Sequence, residues 1–291
     1  YLRNHDDAKA KTYIDMVLNS GQYELESDFK YVWSENNKYG KEMIFALLHE
    51  TGNNAAEIAC HFGPSDHPEV PGRWQYYGVS LPFWRSYDKE DPRREFFYYD
   101  YTGDAKRDDQ SDYGFHYMVP DEGVTVVPND TTKYMQNVAT MKYTYDMISD
   151  AYYDGRTICI FRLSDVILCK AEIENNLNGP AAALPYLNQI RARAGAPEYG
   201  KHNRFPAPST KEAMNDAILK ERGYELVFEF QRRADLIRFG KYEEVVNAHL
   251  KKLGIAQPTN VTSSLRYFPY PLNDAQLNPN LAAENPSRLP K

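Results

Sequence analysis

A chain of 291 residues fits one large domain or two small ones and is long enough for a sizeable core. Its net charge is −7, and its short basic runs, Arg191/Arg193 and Arg232/Arg233, sit among acidic residues. That excludes the basic patch a nucleic-acid partner needs, and no apolar run reaches the roughly 20 residues that span a bilayer.

The opening Tyr1-Leu2-Arg3-Asn4 reads like the last turn of a helix that starts upstream, so any secretory leader is expected before Tyr1. Asp6–Ser20 is predicted as an amphipathic helix, with Ala10, Tyr13, Ile14, Val17 and Leu18 at three- and four-residue steps. Asp6 or Asp7 caps its start and Gly21 follows its end. The run Met43-Ile44-Phe45-Ala46-Leu47-Leu48 suits either a buried strand or a short helix. From Thr51 to about Arg156 the pattern is irregular, dense in Gly, Pro, Asn and Asp with interleaved aromatics. So long a stretch inside a domain implies short elements of its own and binding-type loops, and strands are predicted around 95–101 and 142–145.

Helical order returns at Leu163–Leu177. Asn178-Gly179 makes a turn, Pro180 opens the next helix at the position where its missing N–H costs nothing, and Gly195 closes it. The two form an antiparallel hairpin of about the 34 residues of a tetratricopeptide unit, with Ala171, Ala181, Ala182, Ala183 and Ala192 allowing close approach. A long helix is predicted from a capping box at Ser209 and Glu212, running to a break near Gln231 or Gly240. The tail from Gln257, rich in Pro and Asn, is expected to be extended.

On that long helix Glu221, Glu225, Glu229 and Arg233 fall in one row, with Glu229–Arg233 and Asp235–Arg238 as favourable pairs. A glycoside hydrolase would need two of these carboxylates as an acid/base pair. Same-row carboxylates beside arginines are ionised and paired rather than tuned apart, so the row is a structural network and not a catalytic site. Cys60, Cys159 and Cys169 are an odd set; were 159–169 helical, its ends would stand roughly 15 Å apart, too far to bridge. All three are expected as buried free thiols. Cys60, His61, Asp66, His67 and Glu69 have metal-binding atoms but no closed zinc spacing, so no metal and no cofactor is expected. No phosphate-cradling loop, dinucleotide fingerprint or nucleophile elbow occurs.

The stretch Glu221–Gly240 resembles the signature helix of the SusD/RagB family, E-R-x-x-E-L-x-x-E-G-x-R-x-x-D-L-x-R-W-G. Glu221, Arg222, Glu225, Leu226, Glu229, Arg232, Asp235, Leu236, Arg238 and Gly240 match it. Phe230 stands where the family has Gly, and Phe239 where it has Trp. Phe161–Glu172 is similar to the family's R-Y-A-D-V-L-L-x-x-A-E-A, Leu187–Gly195 to I-N-x-V-R-x-R-A-G, and Asp91-Pro92-Arg93 to a D-P-R near its central insertion. Asn278–Pro286 is similar to the closing N-P-x-L-x-Q-N-P, and Gly21–Leu25 to S-G-x-Y-x-L. The resemblance runs in family order over nearly the whole chain.

The resemblance implies a mainly α, SusD-like fold of tetratricopeptide-like helical pairs with a loop-rich insertion carrying short strands. The chain would be the C-terminal part of one such domain. Within it, 1–50 would be a remnant of the helical repeats, 51–156 the aromatic insertion, 157–256 helical pairs and 257–291 the extended tail. It further implies a non-catalytic lipoprotein of the outer-membrane surface, anchored through a Cys before Tyr1. Such a protein holds oligosaccharides for a SusC-like TonB-dependent β-barrel transporter. A peptide-capturing family member and a helical-repeat protein–protein scaffold are the alternatives. Sugar rings present flat C–H faces to Trp and Tyr, and the chain has 24 Tyr, 13 Phe and 3 Trp. Arg73, Trp74, Tyr76, Tyr77, Trp84 and Tyr87, close together in the insertion, are the candidate ligand-binding residues. Trp33, beside a helix, is assigned to the core.

Overall fold

In the computed structural model the Asp6 carboxylate accepts the Lys9 N–H at 3.1 Å and opens α1 (Asp7–Leu18). The description covers all residues except 53–54, 65, 71–73, 105–113, 124–130, 147–152, 255–260, 267, 279 and 282–291. Two compact units result, Tyr1–Glu229 and Phe230–Lys291.

In the first unit α1 is followed by β1 (Met43–Leu47), α2 (Ile58–Phe62), β2 (Val79–Ser80), α3 (Leu81–Trp84), β3 (Phe97–Tyr98) and β4 (Asp100–Thr102). Next come β5 (His116–Met118), β6 (Thr132–Tyr134), β7 (Asn137–Thr140) and β8 (Ile158–Arg162). The unit closes with α4 (Leu163–Asn178), α5 (Pro180–Arg193) and α6 (Lys211–Glu225). The apolar run at Met43 is a strand because β8 pairs with it antiparallel, Ala46 opposite Cys159. β7 lies between β2 and β3, and β5 between an antiparallel β4 and a parallel β6. Of the two expected insertion strands, the first appears as β3 and β4. Residues 142–145 form a turn instead, because Lys142 and Tyr143 point into the core and the Tyr143 hydroxyl donates to the Phe228 carbonyl at 2.9 Å.

α4 packs against α1, α5 and α6. Gly179 (φ 89°) makes the reversal before Pro180, and the fully buried Ala171 and Ala183 are the small residues that allow contact. The third helix is capped one residue later than expected: Thr210, not Ser209, accepts the Ala213 N–H at 3.1 Å. Arg222 reaches Asp165 of α4 at 2.7 Å. Trp33 lies in the core with Phe29, Phe62, Phe96 and Tyr143. All three cysteines are free; Cys60 and Cys159 are buried and Cys169 is half-buried.

Ten charged side chains, each at most 5 % exposed, join into one ion-paired network. Arg93 bonds Asp91 (2.8 Å), Glu221 (2.6 Å) and Glu225 (3.0 Å), and Arg191 bonds Glu221 (2.7 Å). Arg162 bonds Glu42 (2.5 Å), Glu225 (2.7 Å) and Glu229 (2.7 Å). Arg193 bonds Glu42 (2.7 Å) and Glu225, and Lys142 bonds Glu229 (2.6 Å). Five carboxylates meet five cations, so the buried set is electroneutral, which keeps its desolvation cost bearable. The arginines around Glu225 hold its carboxylate far below the usual range, although burial pushes the other way. The expected row of carboxylates is thus a structural network, but it is not one helix. α6 ends at Glu225, and Glu229, expected to pair with Arg233, serves Lys142 and Arg162 from the turn that follows.

That turn holds two phenylalanines in left-handed backbone, Phe228 (φ 61°) and Phe230 (φ 62°). The left-handed region costs a non-glycine residue roughly 1–2 kcal/mol. Phe228 offsets this by packing on Phe62 (5.0 Å between ring centroids) and on two core clusters. Phe230 is 70 % exposed. Phe230→Gly is therefore expected to be neutral to stabilising by up to about 1 kcal/mol, the released strain being partly offset by glycine's greater chain entropy. Phe228→Gly should destabilise by about 2 kcal/mol or more through lost packing. Urea denaturation of the two variants checks both signs.

In the second unit α7 (Arg232–Arg238), α8 (Tyr242–Lys252) and α9 (Leu272–Leu277) follow. Asp235–Arg238 pair as expected at 3.0 Å. Arg233 donates to the Leu265 and Arg266 carbonyls, and Arg266 pairs with Glu243 at 2.8 Å. The tail is not simply extended: its described part carries a 3-10 turn at Ser263–Arg266 and α9. Most of the closing motif after Asn278 lies outside the described residues. Among the described residues no helix is long and apolar enough to cross a membrane.

Candidate functional site

The site is built on α2, a helix of five residues that needs outside support. Asp154, fully buried, supplies it: its carboxylate accepts the Ala59 N–H at 3.0 Å and the Arg156 N–H at 2.9 Å, and its backbone bridges Ala56. Burial raises the Asp154 carboxyl to about 6 against the pull of those N–H groups. At its other end α2 leaves carbonyls unsatisfied, as every helix does. The following loop fills two of them: Trp74 N–H donates to the Cys60 carbonyl (2.7 Å) and Tyr77 N–H to that of His61 (3.2 Å).

Between these anchors Gln75 adopts φ 46°, a strained backbone of the kind that clusters at ligand-facing sites. Its side-chain amide donates to Asn137 of β7 at 3.2 Å. The neighbouring Gly78 has no room for a side chain, since a Cβ there would stand 2.5 Å from that Asn137 oxygen. The result is a cluster of rings around His61: Trp74 at 5.0 Å edge-on, Tyr76 stacked at 5.4 Å and Tyr77 at 6.2 Å, with Trp74 and Tyr76 5.4 Å apart. Trp74 is 38 %, Tyr76 66 % and Tyr77 54 % exposed. These are amphipathic rings, held from behind and open in front, which is the arrangement that stacks on a polar ligand with flat apolar faces.

Of the six predicted residues, Trp74, Tyr76 and Tyr77 are thus brought together at the surface, and Arg73 lies outside the described residues. Trp84 and Tyr87 are placed in the core, 5 % and 3 % exposed. Arg94 covers one Trp84 ring contact at 4.2 Å and Tyr99 another at 5.1 Å, while Trp84 N–H donates to the Arg94 carbonyl. Tyr87 stacks on Tyr224 at 4.2 Å and donates to its carbonyl. Their compact Leu81-Pro82-Phe83-Trp84 context, apolar throughout, is a core signal. His61, expected only as a metal-type residue, is the backing of the platform, and nothing in its sequence neighbourhood announces that.

The five metal-type residues do not converge. His67 packs on Tyr98 and Tyr101, and Asp66 accepts the Tyr101 hydroxyl at 3.2 Å. Glu57, Cys60 and His61 do have ligand atoms within 4.8 Å of one another. However, the Cys60 thiol donates to the Glu57 carbonyl (2.8 Å) and burial raises it to about 11, which disfavours the thiolate that metals bind.

Residues 41–287 match the model of the SusD family, which is most of the chain. The chain belongs to the SusD family. It is 39 % identical over 120 residues to SusD-like protein P25 of Formosa agariphila, covering 41 % of this chain and 22 % of that protein. It is 25 % identical over 268 residues to SusD-like protein P38 of the same organism, covering 84 % and 50 %. Among solved structures it is similar to surface glycan-binding protein A from Bacteroides thetaiotaomicron in complex with laminarihexaose. That likeness has a TM-score of 0.67 at 22 % identity and covers 94 % of this chain and 59 % of the other. The SusD-like chain spans about half the length of the curated relatives that it matches along most of its own length. The fold expected from the family motifs is thus the fold present: mainly helical, with helical pairs and a strand-bearing insertion.

Proposed function

We propose that this SusD-family chain captures oligosaccharides on the Trp74–Tyr76–Tyr77 platform of its 51–156 insertion, and that it changes no bond in them. The observation that carries this is the trio of exposed rings braced by His61. A sugar face stacks there, and the surrounding loop offers polar groups such as Gln75 and Asn137 for its hydroxyls. The bound laminarihexaose of the similar surface glycan-binding protein A favours a glucan-like chain as ligand. The carboxylates that a hydrolase would use, Glu221, Glu225 and Glu229, are buried and engaged by arginine and lysine, so they meet no substrate. Membership of the SusD family supports a place on the outer-membrane surface, with handover to a TonB-dependent transporter.

Titration calorimetry against a panel of neutral oligosaccharides, laminari-oligosaccharides included, tests the reading. Saturable heat with at least one glycan, unaccompanied by reducing-sugar release over hours, is expected. Silence across the panel together with heat from a peptide would sink it in favour of peptide capture.

A further inference from the structure

A cavity of about 270 Å³ opens between α5, α6 and the segments 86–91 and 204–205, on other elements than the aromatic platform. Its wall is unusual in what it leaves uncompensated. Six charged side chains line it: Asp88, Lys89, Asp91, Arg191, Arg204 and Lys220. Arg204 pairs with Asp88 at 2.8 Å, Asp91 with Arg93 at 2.8 Å, and Arg191 with Glu221 at 2.7 Å. The exposed Lys89 and Lys220 have no ion-pair partner among the described residues. Arg204 also pairs with Glu90 at 2.7 Å, so one positive charge stands over at this spot of a chain whose net charge is −7.

Arg191 adds a directed donor. Its side chain is 3 % exposed, and its guanidinium lies 4.8 Å from the ring centroids of both Tyr199 and Phe205. Nε donates to the Pro197 carbonyl and Nη1 to Glu221. Nη2 has no hydrogen-bond partner among the described residues, in a side chain that lines the cavity. Nη2 is thus a charged donor open to a ligand in the cavity. The hydroxyls of the wall are already committed: Tyr87 donates to the Tyr224 carbonyl, Tyr224 to the Ser86 carbonyl and Ser86 to the Phe83 carbonyl. With those O–H donors committed, the donors that the wall leaves open are charged N–H groups, whose bonds are strongest to an anion.

We infer that this cavity is a subsite for the acidic substituent of a glycan, a uronate carboxylate or a sulfate ester, held by Arg191, Lys89 and Lys220. The inference rests on the glycan-binding reading for the identity of the anion's carrier, and on the cavity alone for the anion.

The test uses the whole chain with ¹³C-dimethylated lysines, which keep their charge, followed by NMR at constant ionic strength. Sodium glucuronate and inorganic sulfate are titrated separately, with glucose as the neutral control. The Lys89 and Lys220 signals, assigned from Lys89→Ala and Lys220→Ala, should move together and saturate, while those of other exposed lysines such as Lys9 and Lys251 do not. The double variant should lose about tenfold or more in affinity for the tighter anion, about 1.4 kcal/mol. Tighter glucuronate assigns a uronate, and tighter sulfate assigns a sulfate ester. Linear shifts shared by all exposed lysines, or no shift at all, overturn the cavity as a site. Saturable shifts in a protein that gives no heat with any glycan overturn the glycan reading instead, and Trp74→Ala should leave these shifts unchanged.

Discussion

An Arg162→Ala protein should lose about 3–5 kcal/mol of folding stability, the cost of leaving buried charge unpaired. That is a large part of the 5–15 kcal/mol that holds a typical domain. Arg162 is fully buried and donates to Glu42 from one part of the chain and to Glu225 and Glu229, four residues apart, from another. Removing it breaks the balance of five against five and strands a carboxylate with no water to solvate it. Arg162→Lys should rescue only part, because one ammonium cannot reproduce a planar fork that reaches three carboxylates. The pH dependence has a definite sign. Glu225 is held far below its ordinary 4.5, so its contribution is complete above that value and is lost as pH falls through the folded one. In Arg162→Ala the stranded carboxylates gain by taking up protons, so the deficit should be largest near neutral pH and shrink below about pH 4.5. Guanidinium unfolding of both proteins at pH 7 and pH 4 measures this; a deficit under 1 kcal/mol at pH 7 would remove the network from any account of stability.

The network also explains why the family-like motifs were legible while their meaning in space was not. D-P-R, the α5 arginines and the α6 carboxylates are far apart in sequence, yet Arg93, Arg191, Arg193, Glu221 and Glu225 meet in one buried cluster. Local signals served wherever the cause was local. The Asp6 cap, the Gly179–Pro180 turn and the close of α5 near Gly195 all follow from single-residue chemistry. They failed wherever the cause was distant. The early end of α6 depends on Lys142 and Arg162 drawing Glu229 inward, and on two phenylalanines in backbone that favours glycine. The strand at Met43 depends on a partner over a hundred residues away. In the same way composition marked the insertion as aromatic, and only the apolar Leu81-Pro82-Phe83 run hinted that Trp84 faces in, whereas Trp74, between Arg73 and Gln75, faces out. The separation comes from which loop finds free helix carbonyls to bond.

Trp74→Ala should lower affinity for the best neutral glycan about 30-fold, the roughly 2 kcal/mol carried by an aromatic anchor at a binding surface. Its folding stability should stay within about 0.5 kcal/mol of the parent. Trp74 is 38 % exposed, its ring meets His61 and Tyr76, and its backbone N–H, which alanine retains, donates to the Cys60 carbonyl. Trp84→Ala should do the reverse. Its ring is enclosed by Arg94, Tyr99 and the core of β2, β3 and β7, so truncation leaves a cavity costing about 3–5 kcal/mol. The folded fraction should then bind glycan as the parent does. Calorimetric affinity and urea unfolding, measured on both variants, form a crossed pair in which each ring moves only one readout. A Trp74→Ala protein with parental affinity would mean the sugar rests elsewhere, whereas a Trp84→Ala protein that keeps its stability but loses its ligand would return the buried ring to the site. The geometry argues for the first pattern: a sugar face needs about the width of one ring open to solvent, and Trp74, Tyr76 and Tyr77 provide it where Trp84 and Tyr87 are covered on their faces by neighbours.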